Sequence, residues 1–301
     1  MTAVALCHLA RKANGIEPFD RFISSYEQHG AGVDHDLVII FKGFGGPEEL
    51  EPYRRRLRGH AFEELQVPDD GLDLGAYFAA ARELDQERLC FVNSFSRVLA
   101  NGWLGHLDAA LSQEGTGLVG ATGSWASHRS AATYLLGLGG SYRTLLGPRS
   151  LGKSALASVA AEPAGRQRFR KLHAAANIPR ELLLYPSFPD PHIRSNAFLV
   201  FRELFMSVKS RSLMSKPGAY SFEAGRRSMT RQVLDRGFDA RIVDATGESS
   251  LPGDWPELEC YWQGSQRALL VADNQTLLYG AAPLSTRQVL SAFAWGNRAW
   301  S

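Results

Sequence analysis

Residues 73–96 read DLGAYFAAARELDQERLCFVNSFS and say more about the fold than any other stretch of this sequence. Their first half predicts a short amphipathic helix, because its apolar residues recur at helical spacing. Residues 89–92 then form an apolar run typical of a buried strand, which ends at the small polar pair Asn93-Ser94. Open α/β sheets bind their ligands at the carboxyl ends of parallel strands, so this order predicts a ligand site directly after residue 92.

The 301-residue composition is that of a globular protein, with 45% hydrophobic and 21% charged residues. No apolar run approaches the ~20 residues that span a bilayer, and the first residues lack a signal-peptide pattern. Three widely spaced cysteines without a Cys-x-x-Cys motif predict buried thiols in a reducing compartment. We therefore expect a cytoplasmic protein.

The net charge of +2 is unevenly distributed along the chain. Residues 141–231 carry 16 Lys and Arg against 5 Asp and Glu, whereas the remainder carries 17 against 26. Two interpretations remain open: this segment faces an anionic partner, or it forms a solvated helical surface balanced by acidic flanks. Nucleic acid is not an expected partner, because the basic residues are not interleaved with exposed-looking aromatic residues.

Strand and helix patterns alternate along most of the chain, which predicts an α/β fold with a mainly parallel, Rossmann-like sheet flanked by helices. Predicted strands cover residues 4–10, 37–41, 62–67, 89–92, 117–121, 196–201, 240–243 and 268–272. Predicted helices cover residues 17–28, 47–58, 103–113 and 225–236, and a further helix has Asp73 as its N-cap. Residues 128–185 have no clear strand and predict a helical insertion in a single domain spanning residues 1–301.

A second motif, Gly147-Pro148-Arg149-Ser150-Leu151-Gly152-Lys153-Ser154, matches the phosphate-binding pattern G-x-x-x-x-G-K-[ST]. A true P-loop follows a buried strand, and residues 141–146 are too short and polar to form one. A chance match, or a loop within the helical insertion, is the favoured interpretation, and a P-loop nucleotide hydrolase is the rival.

The order of polar clusters at strand ends resembles the bacterial GT-A nucleotide-sugar glycosyltransferases. The segments that carry the resemblance are Ala10-Arg11 and residues 35–44, 73–96, 117–125, 191–198 and 222–225. The resemblance implies that the amino-terminal half binds a nucleotide-diphosphate sugar and that the carboxyl-terminal half presents the acceptor. It implies donor-binding roles for Arg11, Lys42, Asp73, Asn93 and Ser94. It also implies that the acceptor or the diphosphate is bound by Trp125, His192, Arg194, Asn196 and Arg226.

The metal-binding Asp-x-Asp cluster of such enzymes is replaced here by Asn93-Ser94-Phe95-Ser96. We therefore expect no bound metal and no other cofactor, with Arg11, Lys42 and Arg194 offsetting the charge of the leaving diphosphate. Two of the implied residues have a structural alternative: Trp125 can pack in the core, and His192 can serve only as a hydrogen-bonding group.

Glu223 is the expected catalytic base, because the resemblance places an acidic motif before a helix at this point. The second acid of that motif is absent, since Ala224 occupies its position. The alternative is that Glu223 only stabilises the start of a helix through the helix dipole.

The sequence thus predicts an inverting glycosyltransferase that acts on a surface-polysaccharide or glycolipid acceptor. The basic segment would hold it near a lipid-linked acceptor at the inner face of the membrane. The missing carboxylates leave a non-catalytic nucleotide- or glycan-binding relative as the alternative, beside the P-loop hydrolase.

Overall fold

The computed structural model describes residues 2–136, 142, 183–210 and 216–296. In these ranges, eight strands form the central sheet: β1 (Val4–Arg11), β2 (Asp36–Lys42), β3 (Glu63–Val67), β4 (Arg88–Val92), β6 (Thr116–Gly120), β9 (Ala197–Phe201), β10 (Asp239–Val243) and β11 (Ser249–Ser250). Two short ribbons accompany it, β5 (Arg97–Val98) with β12 (Val271–Ala272) and β7 (Gly123–Ser124) with β8 (His192–Ile193).

The order of strands across the sheet is β11-β10-β6-β9-β4-β1-β2-β3. Strands β1 to β4 are parallel to one another, and β6 is parallel to β10. Strand β9 runs antiparallel between β4 and β6, and β11 is an antiparallel edge. The predicted mainly parallel α/β sheet is confirmed. The strand predicted for residues 268–272 is wrong in its length and its position. Only Val271–Ala272 is extended, and this short strand pairs with β5 outside the central sheet.

Helices cover both faces of the sheet. Those in the described ranges are α1 (Ile16–Gln28), α2 (Pro47–Arg56), α3 (Asp73–Glu83), α4 (Trp103–Leu111), α5 (His128–Leu136), α6 (Arg202–Ser207), α7 (Lys216–Ala224), α8 (Met229–Leu234), α9 (Asn274–Ala281) and α10 (Leu284–Trp295). Successive residues of β1 enter two separate cores, because strand side chains alternate between faces: Cys7 packs on the side of α3, whereas Leu6 packs on the side of α1 and α4. In the described ranges, no helix combines the length and the apolar character needed to cross a bilayer. The three cysteines are free and buried, as predicted.

The helix predicted for residues 225–236 is present but shorter, because it begins only at Met229 and ends at Leu234. The chain ends α7 at Ala224, turns, and begins α8 at Met229. Helix α8 begins at this point because the Ser228 side chain accepts a hydrogen bond from the Arg231 N–H and so caps the helix. Glu223 consequently lies in the last turn of a helix rather than before one, which removes the helix-dipole alternative for its role.

Asp73 is likewise not the N-cap that the sequence predicted. Leu72 occupies the N-cap position without a side-chain hydrogen bond, and Asp73 is the first residue of α3. Of the predicted insertion, α5 and residues 142 and 183–185 are described. The P-loop match at residues 147–154 lies outside the described residues.

Candidate functional site

The carboxyl ends of β1, β2 and β4 meet at one edge of the sheet. From β1 the chain proceeds outward through β2 and β3 on one side and returns to β4 on the other, so the strand order reverses at β1. Such a switch point leaves a crevice beyond the strand ends, where α/β proteins bind ligands. The structure therefore brings together three of the predicted donor-binding positions, at the ends of these strands: Arg11, Lys42 and Asn93.

Arg11 extends from the end of β1 to Asp69. Its guanidinium donates from Nε at 2.9 Å and from NH2 at 3.1 Å to the two carboxylate oxygens. This hydrogen bond holds the pKa of the Asp69 carboxyl below its usual value. The arginine is 28% exposed, so it keeps some access to solvent.

Lys42 is fully buried at the end of β2. Its ammonium donates to the carbonyl oxygens of Asp70 at 2.7 Å and Leu72 at 3.1 Å, and also to that of Gly71. Burial lowers the pKa of Lys42. Because three carbonyls accept from its three N–H groups, Lys42 fixes the loop that starts α3, and its predicted contact with the donor stays a prediction.

Asp73 lies half-buried beside this loop. Burial raises the pKa of its carboxyl, while the charges of Lys42 and Arg11 act in the opposite direction. Arg11, Lys42, Asp69 and Asp73 therefore form one mixed-charge cluster at the ends of β1 and β2. The predicted contact of Asp73 with the nucleotide remains a prediction.

The turn after β4 is organised by Asn93. Its Oδ1 accepts hydrogen bonds from the Phe95 N–H and from Ser96 Oγ, both at 3.0 Å. The carbonyl of Asn196, at the start of β9, accepts from the Asn93 N–H and from Ser96 Oγ, both at 2.9 Å. Ser94 Oγ and Asn196 Nδ2 are buried and have no hydrogen-bond partner within the described ranges. Asn196 Oδ1 accepts from Thr122 Oγ1 at 2.6 Å.

This turn does not fit a divalent cation held by carboxylates. It offers neutral side-chain oxygens, and Asn93 Oδ1 already accepts two hydrogen bonds. Magnesium and manganese are held chiefly by carboxylate and water oxygens. In the described ranges, no three His, Cys, Asp or Glu side chains are grouped so that they could hold a metal ion.

Glu223 faces the start of β9. Its Oε2 accepts from the backbone N–H of Ser195 at 2.7 Å and also from Ser195 Oγ. The side chain is half-buried, and in the described part of the chain Oε1 accepts no hydrogen bond. One carboxylate oxygen is therefore anchored while the other can accept a proton.

His192 and Arg194 flank this pair. The His192 Nδ1 lies 2.7 Å from the Asp190 carbonyl, which can only accept, so Nδ1 carries the proton. Burial lowers the pKa of His192, against the opposing charge of Glu223, and the ring is neutral at pH 7. Its Nε2 therefore has a lone pair.

Arg194 is held inside the protein. It donates to Asp273 Oδ2 at 2.6 Å and to Thr122 Oγ1 at 3.2 Å, and its guanidinium lies 4.1 Å from the centre of the Tyr261 ring. Asp273 also caps α9 through Thr276. Burial acts to lower the pKa of Arg194, but the charge of Asp273 keeps it raised. Its geometry fits a structural ion pair, and its predicted contact with the diphosphate stays a prediction.

The two remaining predicted residues, Trp125 and Arg226, make contacts of their own. The Trp125 Nε1 donates to the Pro252 carbonyl at 2.9 Å, and its ring meets that of Trp295 edge-on. Arg226 is exposed, and its backbone N–H donates to the Leu184 carbonyl at 2.8 Å.

Sequence reasoning missed Asp69, Ser195 and the structural role of Asp273. Asp69 lies 58 residues from its partner Arg11, and Ser195 lies 28 from Glu223. The polar Asp273-Asn274 pair after an apolar run was a visible signal for a turn, but its ion pair with Arg194 depends on tertiary packing.

Comparisons with known proteins give similarity at the level of fold. No protein-family model matches the chain, and no curated protein sequence matches it. One similar solved structure is the mannosyltransferase PcManGT from Pyrobaculum calidifontis in complex with GDP-Man and Mn2+, with 10% identity over 79% of this chain and 53% of that protein, at a TM-score of 0.46. Another is glucosyl-3-phosphoglycerate synthase from Mycobacterium tuberculosis in complex with Mn2+, UDP and phosphoglyceric acid, with 14% identity, 79% and 67% coverage, and a TM-score of 0.40. The chain thus spans about half the length of the first of these proteins.

Proposed function

We propose that this protein is a glycosyltransferase that takes a sugar from a nucleotide-diphosphate donor bound beyond β1, β2 and β4. The observation that carries the proposal is the convergence of polar side chains at the carboxyl ends of β1, β2 and β4, where the strand order reverses, with the anchored carboxylate of Glu223 at the same end of the sheet. A crevice with convergent polar groups is the usual form of a small-molecule site. The transferases named above, whose structures contain GDP-mannose or UDP, are in accord with it.

Glu223 would act as the general base. The acceptor hydroxyl gives its proton to Oε1 while its oxygen attacks the anomeric carbon, and the bond from that carbon to the diphosphate oxygen breaks. Ser195 holds Oε2, so the free oxygen keeps a fixed direction. A single displacement of this kind inverts the configuration at the anomeric carbon.

Charge on the departing diphosphate would be offset by protein groups. Arg11 is half-buried and has N–H groups beyond the two that Asp69 accepts, and Ser94 Oγ is a buried hydroxyl without a partner in the described ranges. Since the turn after β4 does not fit a metal, we propose transfer without a bound cation. We further propose a saccharide or lipid-linked acceptor, with the basic segment 141–231 directed toward an anionic membrane surface.

A non-catalytic binding protein is the second candidate. It is favoured by one observation: Lys42 and Arg194, both expected at the diphosphate, are occupied by internal partners. Such a protein would bind the donor without turning it over.

The experiment is a thermal-shift screen of the full chain with UDP-, GDP- and dTDP-sugars and with ATP, each with Mn2+ and with EDTA. Because a ligand that binds only the native state raises its melting temperature, at least one donor should do so in a saturable manner. Arg11→Glu should abolish the shift. Arg54→Glu is the matched control, since Arg54 forms the same two-bond pair with Glu64 away from the crevice.

No shift with any donor would contradict the proposal, as would equal loss in both variants. A shift with ATP alone, accompanied by ATP hydrolysis, would favour the P-loop hydrolase. A saturable donor shift with no transfer to any acceptor would favour the binding protein.

A further inference from the structure

Three aromatic rings lie together beside α7, the helix that carries Glu223. The His128 ring centre lies 4.8 Å from that of Tyr185 and 5.2 Å from that of Tyr220, with the ring planes inclined by 41° and 35°. We call these three residues the aromatic platform. Tyr185 is its buried floor, whereas His128 is exposed and Tyr220 is 49% exposed. The rings are tilted against one another, and the two that are exposed give this part of the surface an aromatic patch of the kind that can mark a binding site.

The platform is held in place by hydrogen bonds between separate segments. Ser127 Oγ donates to the Pro186 carbonyl at 2.6 Å, which fixes His128 over the residue next to Pro186. The Arg226 N–H donates to the Leu184 carbonyl at 2.8 Å, which ties the floor to the turn after α7. The rings are therefore prearranged, and binding need not order them.

The platform and Glu223 share one helix. Tyr220 precedes Glu223 by three residues in α7, so the two side chains lie on the same helix face. The charge of Glu223 also reaches His128.

We propose that the aromatic platform binds a pyranose ring of the acceptor and directs one of its hydroxyl groups toward Oε1 of Glu223. The proposal rests on the proposed function. A pyranose has a face of C–H bonds that packs against neutral aromatic rings, while its hydroxyl groups point outward to polar partners. The platform supplies aromatic ring faces for the C–H face of the sugar, and Glu223 supplies a hydrogen-bond acceptor one helical turn away. This chemistry selects a carbohydrate over a purely aliphatic acceptor.

The test measures binding of simple glycosides by NMR titration. The probes are methyl α- and β-glycosides of glucose, galactose, mannose and N-acetylglucosamine, and their disaccharides, added to the full chain with and without the donor found in the thermal-shift screen. At least one glycoside should bind, and Tyr220→Ala should raise its Kd about tenfold or more. Tyr220→Phe should retain most of the affinity. Phe238→Ala is the matched control, because Phe238 is 40% exposed but lies at the amino end of β10, on the opposite edge of the sheet.

The platform assignment is overturned if no glycoside binds, or if Tyr220→Ala and Phe238→Ala bind it equally well at equal melting temperature. Donor binding without glycoside binding would refute the platform and leave the proposed function standing. Glycoside binding that depends on Tyr220, with no donor bound under any condition, would retain the platform and refute the transferase.

Discussion

Ser195 donates two hydrogen bonds to the same oxygen of Glu223, from its backbone N–H at 2.7 Å and from its hydroxyl. Ser195 lies just before β9, whose antiparallel direction brings its amino end to the edge where β4 terminates. The pair therefore connects α7 to the crevice and sets the direction of the carboxylate. Its geometry ties the position of the proposed base to the sheet.

Ser195→Ala should lower kcat about tenfold or more with little change in the affinity for the donor. The variant loses one hydrogen bond to a charged group, which contributes roughly 1.5–3 kcal/mol. Steady-state kinetics and donor titration on one preparation check this, and Ser195→Thr, which keeps a hydroxyl, should recover most of the rate. An unchanged kcat in the alanine variant would show that the hydroxyl does not position the base.

His8 makes the fold sensitive to acid. The ring is buried, stacks on Phe22 with 3.7 Å between centres, and neither nitrogen has a hydrogen-bond partner in the described ranges. Burial lowers its pKa from 6.5 to about 3, so the unfolded chain binds the proton more readily than the folded one. The stability from neutral His8 is complete above pH 6.5 and is lost as the pH falls toward 3, by up to about 1.4 kcal/mol per pH unit.

His8→Leu should reduce the loss of folding stability that wild type shows as the pH falls below 6.5. Urea unfolding at pH 5 and pH 7.5 gives the comparison, and the difference in free energy of unfolding between the two pH values should be smaller in the variant. The control is His29→Leu, because His29 is only half-buried. This variant should show the same difference in free energy of unfolding between the two pH values as wild type. Parallel curves for wild type and His8→Leu would contradict the assignment.

The Arg194–Asp273 pair should behave as a structural unit. Asp273→Ala leaves the guanidinium buried without its carboxylate and removes the cap of α9, and we expect a loss of about 3–5 kcal/mol. Arg194→Met and the double variant complete a double-mutant cycle, in which the free energy of unfolding of each protein is measured by denaturant titration. The double variant should be less destabilised than the sum of the single changes, and strict additivity would show that the pair does not interact.

The sequence predicted the parts of the fold that depend on local pattern. Residues 37–41 form an uninterrupted apolar run because β2 is buried on both faces, and this pattern is visible without a structure. The direction of β9 and the break between α7 and α8 could not be predicted in the same way. Strand direction has no local signature, and Ser228 acts as a cap only because the chain turns before it.

In the candidate site, too, residue positions could be predicted from local sequence, whereas their partners depend on tertiary packing. Arg11, Lys42 and Asn93 were identified because each follows a predicted strand, and their strands do end at one edge. Their partners could not be read from the sequence. The three carbonyls that bind Lys42 belong to a loop 28–30 residues away, and their arrangement depends on how α3 packs.

Transfer activity should survive removal of divalent cations. The turn after β4 has neutral oxygens, and a carboxylate-held ion does not fit it. Turnover measured after dialysis against EDTA should equal that of the untreated enzyme, and added manganese should not raise it. Loss of turnover with EDTA and recovery with manganese would require a metal site elsewhere in the chain.

Glu223→Gln should abolish transfer while the donor still binds. The amide oxygen can accept both hydrogen bonds from Ser195, so the side chain keeps its place, but the amide nitrogen that replaces Oε1 cannot take a proton. A positioned general base contributes typically ~10²–10⁴-fold in rate, and kcat should fall by that factor. Melting temperature and donor affinity, measured on the same preparation, should stay near the wild-type values.

A purely structural Glu223 predicts the opposite pair of results: a lower melting temperature, and activity that falls only with the folded fraction. Wild-type turnover in the glutamine variant would refute its role as the base.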